Sequence, residues 1–536
     1  MDDTGGPSMK CLYITQERAP FFSEGGLGQA SRTLPELLQR DHAATHDIIL
    51  PCYPWLVSEA GLRTEQVTDL PQVTVAGKTV RPSVERLLDH GGANDVYLVR
   101  ADAWFGRAGI YRDADYVEFA DAAHRAAFFG WCVARWVELG ARAYDLVHGN
   151  DWQSGAAMAH LRSMRGTDRS PALLMNVHNG AYQGALSSDS VATLALPQEW
   201  QDSLPQVSRG APSLLLLGLL AADAATTGSM SYAAEMADEF AGTPLGAALE
   251  ALSPKGIIAG VDTSVWDPQA LGRTTHPYAK DTVDEGKKRN KRALQSRLGL
   301  VEHPGIPLFG LCARLVEDKG IDLVIDAMTP LLGADSAQLV VIGPGEVRFR
   351  DALVEIGSRY PGRVHLSPRF DQGLAWQVYA GSDFTLMPSR FEPCGLNQLI
   401  AMRYGTIPVV TDVGGLGDTV VDLVTDPVRG TGFHIAHATA EAVQETVVTA
   451  SQWLHRQPAE VRAVRERLMQ LDWSWSRTAQ ETARLYHRTI NRRLPTHRRE
   501  SGSPRLSEYS PSHEEAPSCR PRASTLDSPC RLTFQA

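Results

Sequence analysis

The sequence predicts an α/β protein made of two doubly wound domains that face a central cleft. Its 536 residues are too many for one domain, because a single hydrophobic core stops growing at roughly 250–300 residues. Short apolar runs alternate with helical stretches, which is typical of parallel sheets covered by helices on both faces. The alternation begins near Lys10 and again near Leu308, so we expect two such sheets.

In the first half, apolar runs bounded by turn residues predict strands at residues 10–15, 47–50, 96–99, 146–148 and 173–178. Apolar residues at helical spacing predict helices that include residues 34–38 and 120–139. Prolines and a glycine interrupt the pattern at residues 262–278. We therefore expect the first domain to span residues 1–262 and the second to begin at residue 263.

In the second half, the predicted strands are residues 308–312, 339–342, 364–366, 384–387 and 408–411. Helices are predicted at residues 321–332, 349–358, 375–380 and 396–404. Ligands of such sheets bind beyond the carboxyl ends of the strands, and a cleft between domains is the expected substrate site.

Residues 494–536 are rich in Ser, Pro and Arg and show no apolar period, so we expect a disordered tail. The basic residues at its start either bind an anionic partner or form a solvated linker, and the linker is the favoured interpretation.

Charge and composition exclude several classes of protein. The net charge of −10 argues against a nucleic-acid partner. The seven cysteines lack the close pairing of a zinc site or a disulfide framework, and their odd number fits a reducing compartment. The N-terminus lacks a secretory pattern, and the longest apolar run, near residues 214–222, is far shorter than the ~20 residues that span a bilayer. We expect a cytoplasmic protein with no membrane partner.

Two polar clusters follow predicted strands of the first half. The loop Ser23-Glu-Gly-Gly-Leu-Gly28 precedes a helix, so the amides of Gly25 and Gly26 are candidates for phosphate binding, although such turns are as often structural. The second cluster is Val177-His-Asn-Gly-Ala-Tyr-Gln-Gly184. A lone histidine would more often be structural, but this cluster is richer in polar groups than packing requires, which favours function.

Two further clusters follow strands of the second half. In Ala313-Arg-Leu-Val-Glu-Asp-Lys-Gly320, the cations Arg314 and Lys319 suit a departing diphosphate, but two surface cations fit the spacing equally well. In Arg390-Phe-Glu-Pro-Cys-Gly-Leu-Asn-Gln398, Glu392 stands at the mouth of a helix whose first amides are free, and it either serves the site or caps the helix. The run Gly414-Gly-Leu-Gly-Asp-Thr419 offers another turn of this type.

In this order and spacing, these clusters resemble the bacterial and plant glycogen/starch synthases, and the resemblance covers residues 9–489. Further matching runs include Asp145-Leu-Val-His-Gly-Asn-Asp-Trp152 and Gly256-Ile-Ile-Ala-Gly-Val-Asp-Thr-Ser-Val-Trp266. The resemblance implies the GT-B fold of two Rossmann-like domains, the second ending at residue 476, with a final helix at residues 477–493 that crosses back onto the first. It also implies a retaining transferase that needs no metal or cofactor and moves glucose from ADP-glucose to an α-1,4-glucan.

The resemblance also assigns roles to single residues. The implied catalytic residues are His178, Glu392, Arg314 and Lys319. The implied donor-binding residues are Gly25, Gly26, Arg314, Lys319, Cys394, Gly395, Leu396 and Thr419. The implied substrate contacts are Asp121, Asn179, Tyr182 and Gln183. His178 is expected at the reacting centre, with the two cations on the donor diphosphate and Glu392 on the donor sugar.

The chain departs from the family pattern mainly in the first half. The family's Lys, Asp, Asn, aromatic residue, second Asn and Leu are replaced by Ser23, Gln29, Ala122, Ala126, Ala259 and Gly180. These losses suggest an alternative function, a pseudo-glycosyltransferase of antibiotic biosynthesis that joins a nucleotide-activated sugar or cyclitol to a small amino-sugar acceptor, as in acarbose-type pathways. A third possibility is an inactive carbohydrate-binding relative. The sequence does not indicate the oligomeric state.

Overall fold

The computed structural model describes residues 9–22, 26–113, 117–140, 143–164 and 170–492. Gly25 and Ser23 of the first glycine-rich loop, and the predicted tail, lie outside these residues. Two large sheets organise the described part of the chain, one in each half, and helices cover both. The predicted α/β architecture with two sheets is therefore confirmed.

The first half forms a nine-stranded sheet and a separate two-stranded hairpin within the described residues. Its strands are β1 (Met9–Ile14), β2 (Ala44–Pro51), β3 (Arg63–Asp69), β4 (Val73–Val75), β5 (Lys78–Val80), β6 (Ser83–Leu88), β7 (Asp95–Arg100), β8 (Leu146–Asn150), β9 (Ala172–Val177), β10 (Ala224–Thr227) and β11 (Lys255–Gly256). Its helices are α1 (Gly26–His42), α2 (Pro54–Glu59), α3 (Asp102–Phe105), α4 (Ala122–Leu139), α5 (Gly155–Ser163), α6 (Ser188–Val191), α7 (Gln198–Val207), α8 (Leu214–Ala221), α9 (Met230–Glu239) and α10 (Pro244–Leu252).

The second half forms a six-stranded parallel sheet in the same described part. Its strands are β12 (Leu308–Cys312), β13 (Gln338–Ile342), β14 (Val364–Ser367), β15 (Phe384–Met387), β16 (Ile407–Thr411) and β17 (Phe433–Ile435). The remaining helices are α11 (Val283–Arg297), α12 (Ile321–Gly333), α13 (Val347–Arg359), α14 (Gln372–Gly381), α15 (Asn397–Arg403), α16 (Gly414–Thr419), α17 (Ala440–Arg456), α18 (Pro458–Leu468) and α19 (Trp475–Asn491).

Strand order brings the chemistry-bearing loops to one edge of each sheet. The first sheet has the order β11-β10-β9-β8-β1-β2-β7-β6-β3, and its central strands are parallel. The second has the order β14-β13-β12-β15-β16-β17. The central strands β1 and β12 are almost entirely buried, as expected for parallel strands covered on both faces. The clusters after β9, β12 and β15 therefore lie at carboxyl edges, where ligands of such sheets bind.

The longest apolar run of the sequence forms α8. All eight of its residues are buried, because a helix that is apolar on every side must be covered on every side. The hydroxyl of Ser213 accepts a hydrogen bond from the Leu216 amide and caps the start of the helix. Across the described residues, the helices are all too short or too polar to cross a membrane.

The chain crosses between the two halves near residues 261 and 474. The Val261 amide donates to the Trp473 carbonyl over 2.7 Å, and the Thr478 hydroxyl donates to the Ile258 carbonyl. Helix α19 then packs on α1 and β9 of the first half. Tyr486 in this helix is fully buried, and its hydroxyl lies 2.8 Å from Nδ1 of His148. The predicted final helix thus returns to the first half, while the domain boundaries at residues 262 and 476 stay a prediction.

Candidate functional site

His178 lies directly after β9 and is held by groups from the neighbouring strand β8. Its amide donates to Oδ1 of Asp151 over 2.7 Å. Its Nε2 lies 3.0 Å from Oδ1 of Asn150 and 2.9 Å from Nδ2 of Asn176. The Tyr13 hydroxyl on β1 also donates to Oδ1 of Asn150. Three adjacent strands therefore fix the imidazole at the carboxyl edge of the first sheet.

Asp151 adds a carboxylate to this edge and was not among the predicted site residues. Its backbone has a positive φ of 54°, which is uncommon for a residue other than glycine. Burial raises the pKa of Asp151, while His178 and the amides of His178 and Asn179 favour its charged form. The run Asp145–Trp152 already showed polar residues after a strand, and that signal was sufficient to predict this aspartate.

The rest of the His178 cluster forms an open turn. Oδ1 of Asn179 accepts from the Ala181 amide, and the Gly180 amide donates to the Tyr232 hydroxyl over 2.8 Å. The side chain of Tyr182 is exposed, and that of Gln183 is half-buried. The turn thus offers an aromatic ring and an amide to solvent beside the fixed imidazole.

In the second half, Lys319 and Glu392 form an ion pair. Nζ of Lys319 lies 2.5 Å from Oε2 of Glu392, and the Ser389 hydroxyl donates to the same oxygen. The next residue, Gly320, has a φ of 66°, and a Cβ there would collide with the carbonyl of Pro388. Glycine therefore lets the loop that carries Lys319 pass directly against the end of β15.

Arg314 follows β12 in the same loop region and has an exposed side chain. Within the described ranges, its guanidinium has no ion pair or hydrogen bond with another side chain. A guanidinium presents N–H donors in one plane, and those of Arg314 are free to bind the oxygens of a phosphate.

Residues 394–396 connect Glu392 to α15 and lie against the first half of the chain. Gly395 has a φ of 70°. Sγ of Cys394 accepts from the Ala259 amide at 3.3 Å, and burial raises the pKa of this thiol to about 12. A Cβ on Gly26 would lie 4.0 Å from Leu396. The first residue of α1 therefore faces the donor-side loop before α15.

Helices α9 and α16 join the two halves beside these loops. Oδ2 of Asp418 accepts from the Met230 amide over 2.7 Å, and Oδ1 accepts from the Ser231 hydroxyl. In return, Oε1 of Glu235 accepts from the Gly414 amide over 2.6 Å. Each helix thus places a carboxylate at the N-terminus of the other, where the helix dipole favours negative charge. We call this arrangement the α9–α16 clasp.

Models of two protein families match the chain. The starch synthase catalytic domain matches residues 10–251, and glycosyl transferases group 1 matches residues 301–463. The glycogen synthase of Syntrophotalea carbinolica is 36% identical over 497 residues, which cover 90% of this chain and 99% of that relative. The glycogen synthase of Thioalkalivibrio sulfidiphilus is 37% identical over 495 residues, which cover 89% and 99%. This chain belongs to the glycogen synthase family.

The structural comparison agrees with this assignment. The catalytic domain of starch synthase IV from Arabidopsis thaliana, bound to ADP and acarbose, has a TM-score of 0.79 and 26% identity, and the match covers 90% of this chain and all of that one. The sucrose-phosphate synthase from Thermosynechococcus elongatus shares only the fold, with a TM-score of 0.56 and 18% identity. The GT-B fold and the glycogen/starch synthase type of glycosyltransferase are confirmed, and these matches give no support to a role in antibiotic biosynthesis.

Two of the predicted site residues, Thr419 and Asp121, use their side chains for contacts within their own half of the chain. The hydroxyl of Thr419 donates to the Gly415 carbonyl over 2.6 Å and accepts from Gln398, so it supports α16. Asp121 at the start of α4 forms an ion pair with Arg107. Their predicted roles in binding stay predictions.

Two of the departures from the family pattern meet at a small cavity. Ala122 and Ala126 on α4 line a space of about 30 Å³ together with Trp152. Trp152 follows Asp151, so this space adjoins the His178 edge. Among the described residues, there is no group of three or more His, Cys, Asp or Glu side chains placed to hold a metal ion.

Proposed function

We propose that this protein transfers glucose from ADP-glucose to an α-1,4-glucan with retention of the anomeric configuration. The observation that carries the proposal is the Lys319–Glu392 pair beside the free Arg314, on a chain that belongs to the glycogen synthase family. The starch synthase IV catalytic domain, which matches over its whole length, has ADP bound.

In this proposal, Arg314 and Lys319 bind the donor diphosphate. The diphosphate gains negative charge as the bond to the sugar breaks, so cations placed there stabilise the transition state more than the ground state. Lys319 carries three N–H donors and can hold Glu392 and a phosphate oxygen together. The amides of residues 394–396 and of Gly26 add neutral donors, and the reaction then needs no metal ion.

Glu392 and His178 act on the sugar that is transferred. Glu392 is held by Lys319 and Ser389, so its second carboxylate oxygen is left to accept from a sugar hydroxyl. The imidazole of His178 is fixed by Asn150 and Asn176, which orients it toward the reacting centre. The acceptor attacks from the face that the diphosphate leaves, through an oxocarbenium-like state, and the configuration is retained.

The acceptor binds on the first half of the chain. Tyr182 offers an exposed ring for stacking against a sugar, and Asn179, Gln183 and Asp121 offer polar contacts to its hydroxyls. We further propose that residues 1–262 form the acceptor-side domain and residues 263–476 the donor-side domain.

The proposal is tested by incubating the full chain with ADP-glucose and glycogen and measuring the release of ADP. We expect release that requires both substrates and lengthens the glucan. A folded protein that releases no ADP with glycogen present would contradict the proposal.

A further inference from the structure

The second half of the chain contains a cavity far from the candidate donor site. It has a volume of about 620 Å³ and lies between α11 and α18, closed by the end of α17 and residues 302–304. Asp383 lines it and immediately precedes β15, whose opposite end leads to Ser389 and Glu392. The cavity therefore lies at the amino edge of the sheet, while the donor site lies at the carboxyl edge.

One face of α11 supplies most of the charge. Residues spaced by three and four along a helix share a face. On α11 this spacing turns one face toward the cavity, with the side chains Asp284, Lys287, Lys288, Lys291, Arg292 and Gln295. Helix α18 faces it with Pro458, Val461 and Arg465, again at helical spacing. In total, six Lys and Arg side chains and four acidic ones line the cavity.

Most of the acidic side chains that line the cavity already form ion pairs. Asp383 lies 2.6 Å from Lys291 and 3.1 Å from Arg465, and Asp284 also pairs with Arg465. Glu302 pairs with Arg292 over 3.1 Å. Lys288 and Arg289 are exposed at the cavity and form no ion pair with any described residue. Glu285 is the single acidic group of the lining without such a partner in this part of the chain, so the unpaired charge is positive.

Two buried cations also line the cavity. Arg465 is 4% exposed, and its Nε has no hydrogen-bond partner among the described residues. Lys287 is 2% exposed and donates to the Tyr379 carbonyl and the Thr406 hydroxyl, both of them neutral groups. Burial lowers the pKa of Lys287 well below its usual value. Burying a charge is costly unless it is paired, and the partners of Lys287 are neutral, so an anion in the cavity would stabilise the charged form of Lys287.

The rest of the lining consists of His303, His455 and apolar side chains. The apolar residues are Pro304, Leu454, Pro458 and Val461. The volume lies within the range of about 300–1,000 Å³ that is common for small-molecule sites, and far exceeds the space for one inorganic ion. A ligand with an anionic end and an organic body fits both parts of this lining.

We propose that this cavity binds a phosphate-bearing small molecule the size of a sugar phosphate or a nucleotide. Lys288 and Arg289 hold the phosphate at the mouth, and the organic part lies against Pro458 and Val461. The site goes beyond the proposed transfer reaction and does not depend on it. Since Asp383 fixes the start of β15 and accepts from the Leu308 amide at the start of β12, the ligand would contact the strands that carry the donor site.

Isothermal titration calorimetry on the full chain tests the site. Glucose 1-phosphate, AMP, inorganic phosphate and glucose are titrated separately into the Arg314→Ala/Lys319→Ala variant, which lacks both cations assigned to the donor diphosphate, and into the unmodified chain in parallel. We expect one molecule of an organic phosphate to bind about tenfold tighter than inorganic phosphate, and glucose not to bind. The double variant Lys288→Ala/Arg289→Ala should weaken binding by about tenfold or more, because it removes two charge-assisted contacts.

Arg297→Ala is the matched control, because Arg297 is an exposed cation of the same helix that does not line the cavity. It should leave the affinity unchanged. The proposal is overturned if neither organic phosphate binds at millimolar concentration, or if the Lys288→Ala/Arg289→Ala variant binds as tightly as the unmodified protein. ADP release from ADP-glucose is measured in parallel, and its absence in a protein that still binds glucose 1-phosphate counts against the transfer proposal alone.

Discussion

At the scale of single residues, Lys319 carries the most direct prediction of the proposed chemistry. Replacing Lys319 with Ala removes the cation beside Glu392 and one of two cations assigned to the diphosphate. Loss of one preorganised transition-state contact typically costs about 10²–10³ in rate. We expect kcat for glucose transfer from ADP-glucose to glycogen to fall by about this factor, measured as ADP release.

Arg359→Ala is the control for Lys319→Ala. Arg359 forms an exposed ion pair with Glu355 on α13, and such pairs contribute little to stability or activity. The control should keep normal turnover. Equal rates for Lys319→Ala and the unmodified chain would contradict the role assigned to Lys319.

The sequence identified His178 but not the groups that hold it. Asn150 and Asn176 lie 26 residues apart in the chain and come together because β8 and β9 pair in parallel, with these two residues opposite each other. A pattern read along one strand does not contain the register between two strands. Glu235 and Asp418 of the clasp were not predicted either. Each contacts a helix in the other half of the chain, and a pattern along one helix does not show which helix it meets.

At the scale of elements, the docking of α19 creates a buried polar cluster that responds to pH. Nδ1 of His148 lies 2.8 Å from the Tyr486 hydroxyl, and burial lowers the pKa of His148 to about 3 and that of His46 to about 4. Both must stay neutral in the fold but protonate near pH 6.5 when unfolded. Stability is therefore lost as the pH falls below about 6.5, by up to roughly 2.7 kcal/mol per pH unit for the pair between about pH 6 and 4.

The variant His148→Gln tests this prediction. An amide can still bond to Tyr486, but it takes up no proton, so the midpoint of thermal unfolding should fall less steeply between pH 7 and 5 than in the unmodified chain. His487→Gln is the control, because His487 is exposed on α19, the helix that carries Tyr486. If the pH dependence of His148→Gln matches that of the control, the buried cluster does not cause the acid sensitivity.

The elements that sequence patterns predicted are the apolar ones. Most of the buried strands that were predicted lie within one or two residues of their predicted bounds; β16, for example, begins at Ile407 rather than at residue 408. Strand β2 begins three residues before its predicted start, and β10 and β17 were not predicted. The antiparallel edge formed by β3 and β6 was not predicted. Strand β3 is polar and largely exposed, so it lacks the apolar period that marks a strand, and its pairing with β6 provides the order. The short β4–β5 hairpin turns at Ala76 and Gly77, both with positive φ.

At the scale of the whole molecule, the repeated strand–helix pattern predicted two sheets, and the structure has them. Periodicity contains no information about how two such halves face each other. Among the described residues, the contacts between the halves include the α9–α16 clasp, the Tyr232–Phe391 ring contact at 5.1 Å and the crossings near Val261 and Trp473. The Ser229 hydroxyl also donates to the Pro393 carbonyl, and the Ala259 amide donates to Sγ of Cys394. The clasp lies beside the donor loops. A change in the relative position of the halves would therefore also move the residues of the first half away from the donor loops.

Asp418→Ala tests that link. Asp418 satisfies the amides of Met230 and Ser231 at the start of α9, and losing a carboxylate from a helix N-terminus costs about 0.5–2 kcal/mol. This energy shifts the equilibrium between closed and open arrangements by up to roughly thirtyfold. We expect a larger radius of gyration in small-angle X-ray scattering and a higher KM for ADP-glucose. Asp326→Ala, an exposed aspartate within α12, should change neither. A compact Asp418→Ala protein with an unchanged KM would show that the clasp does not hold the halves together.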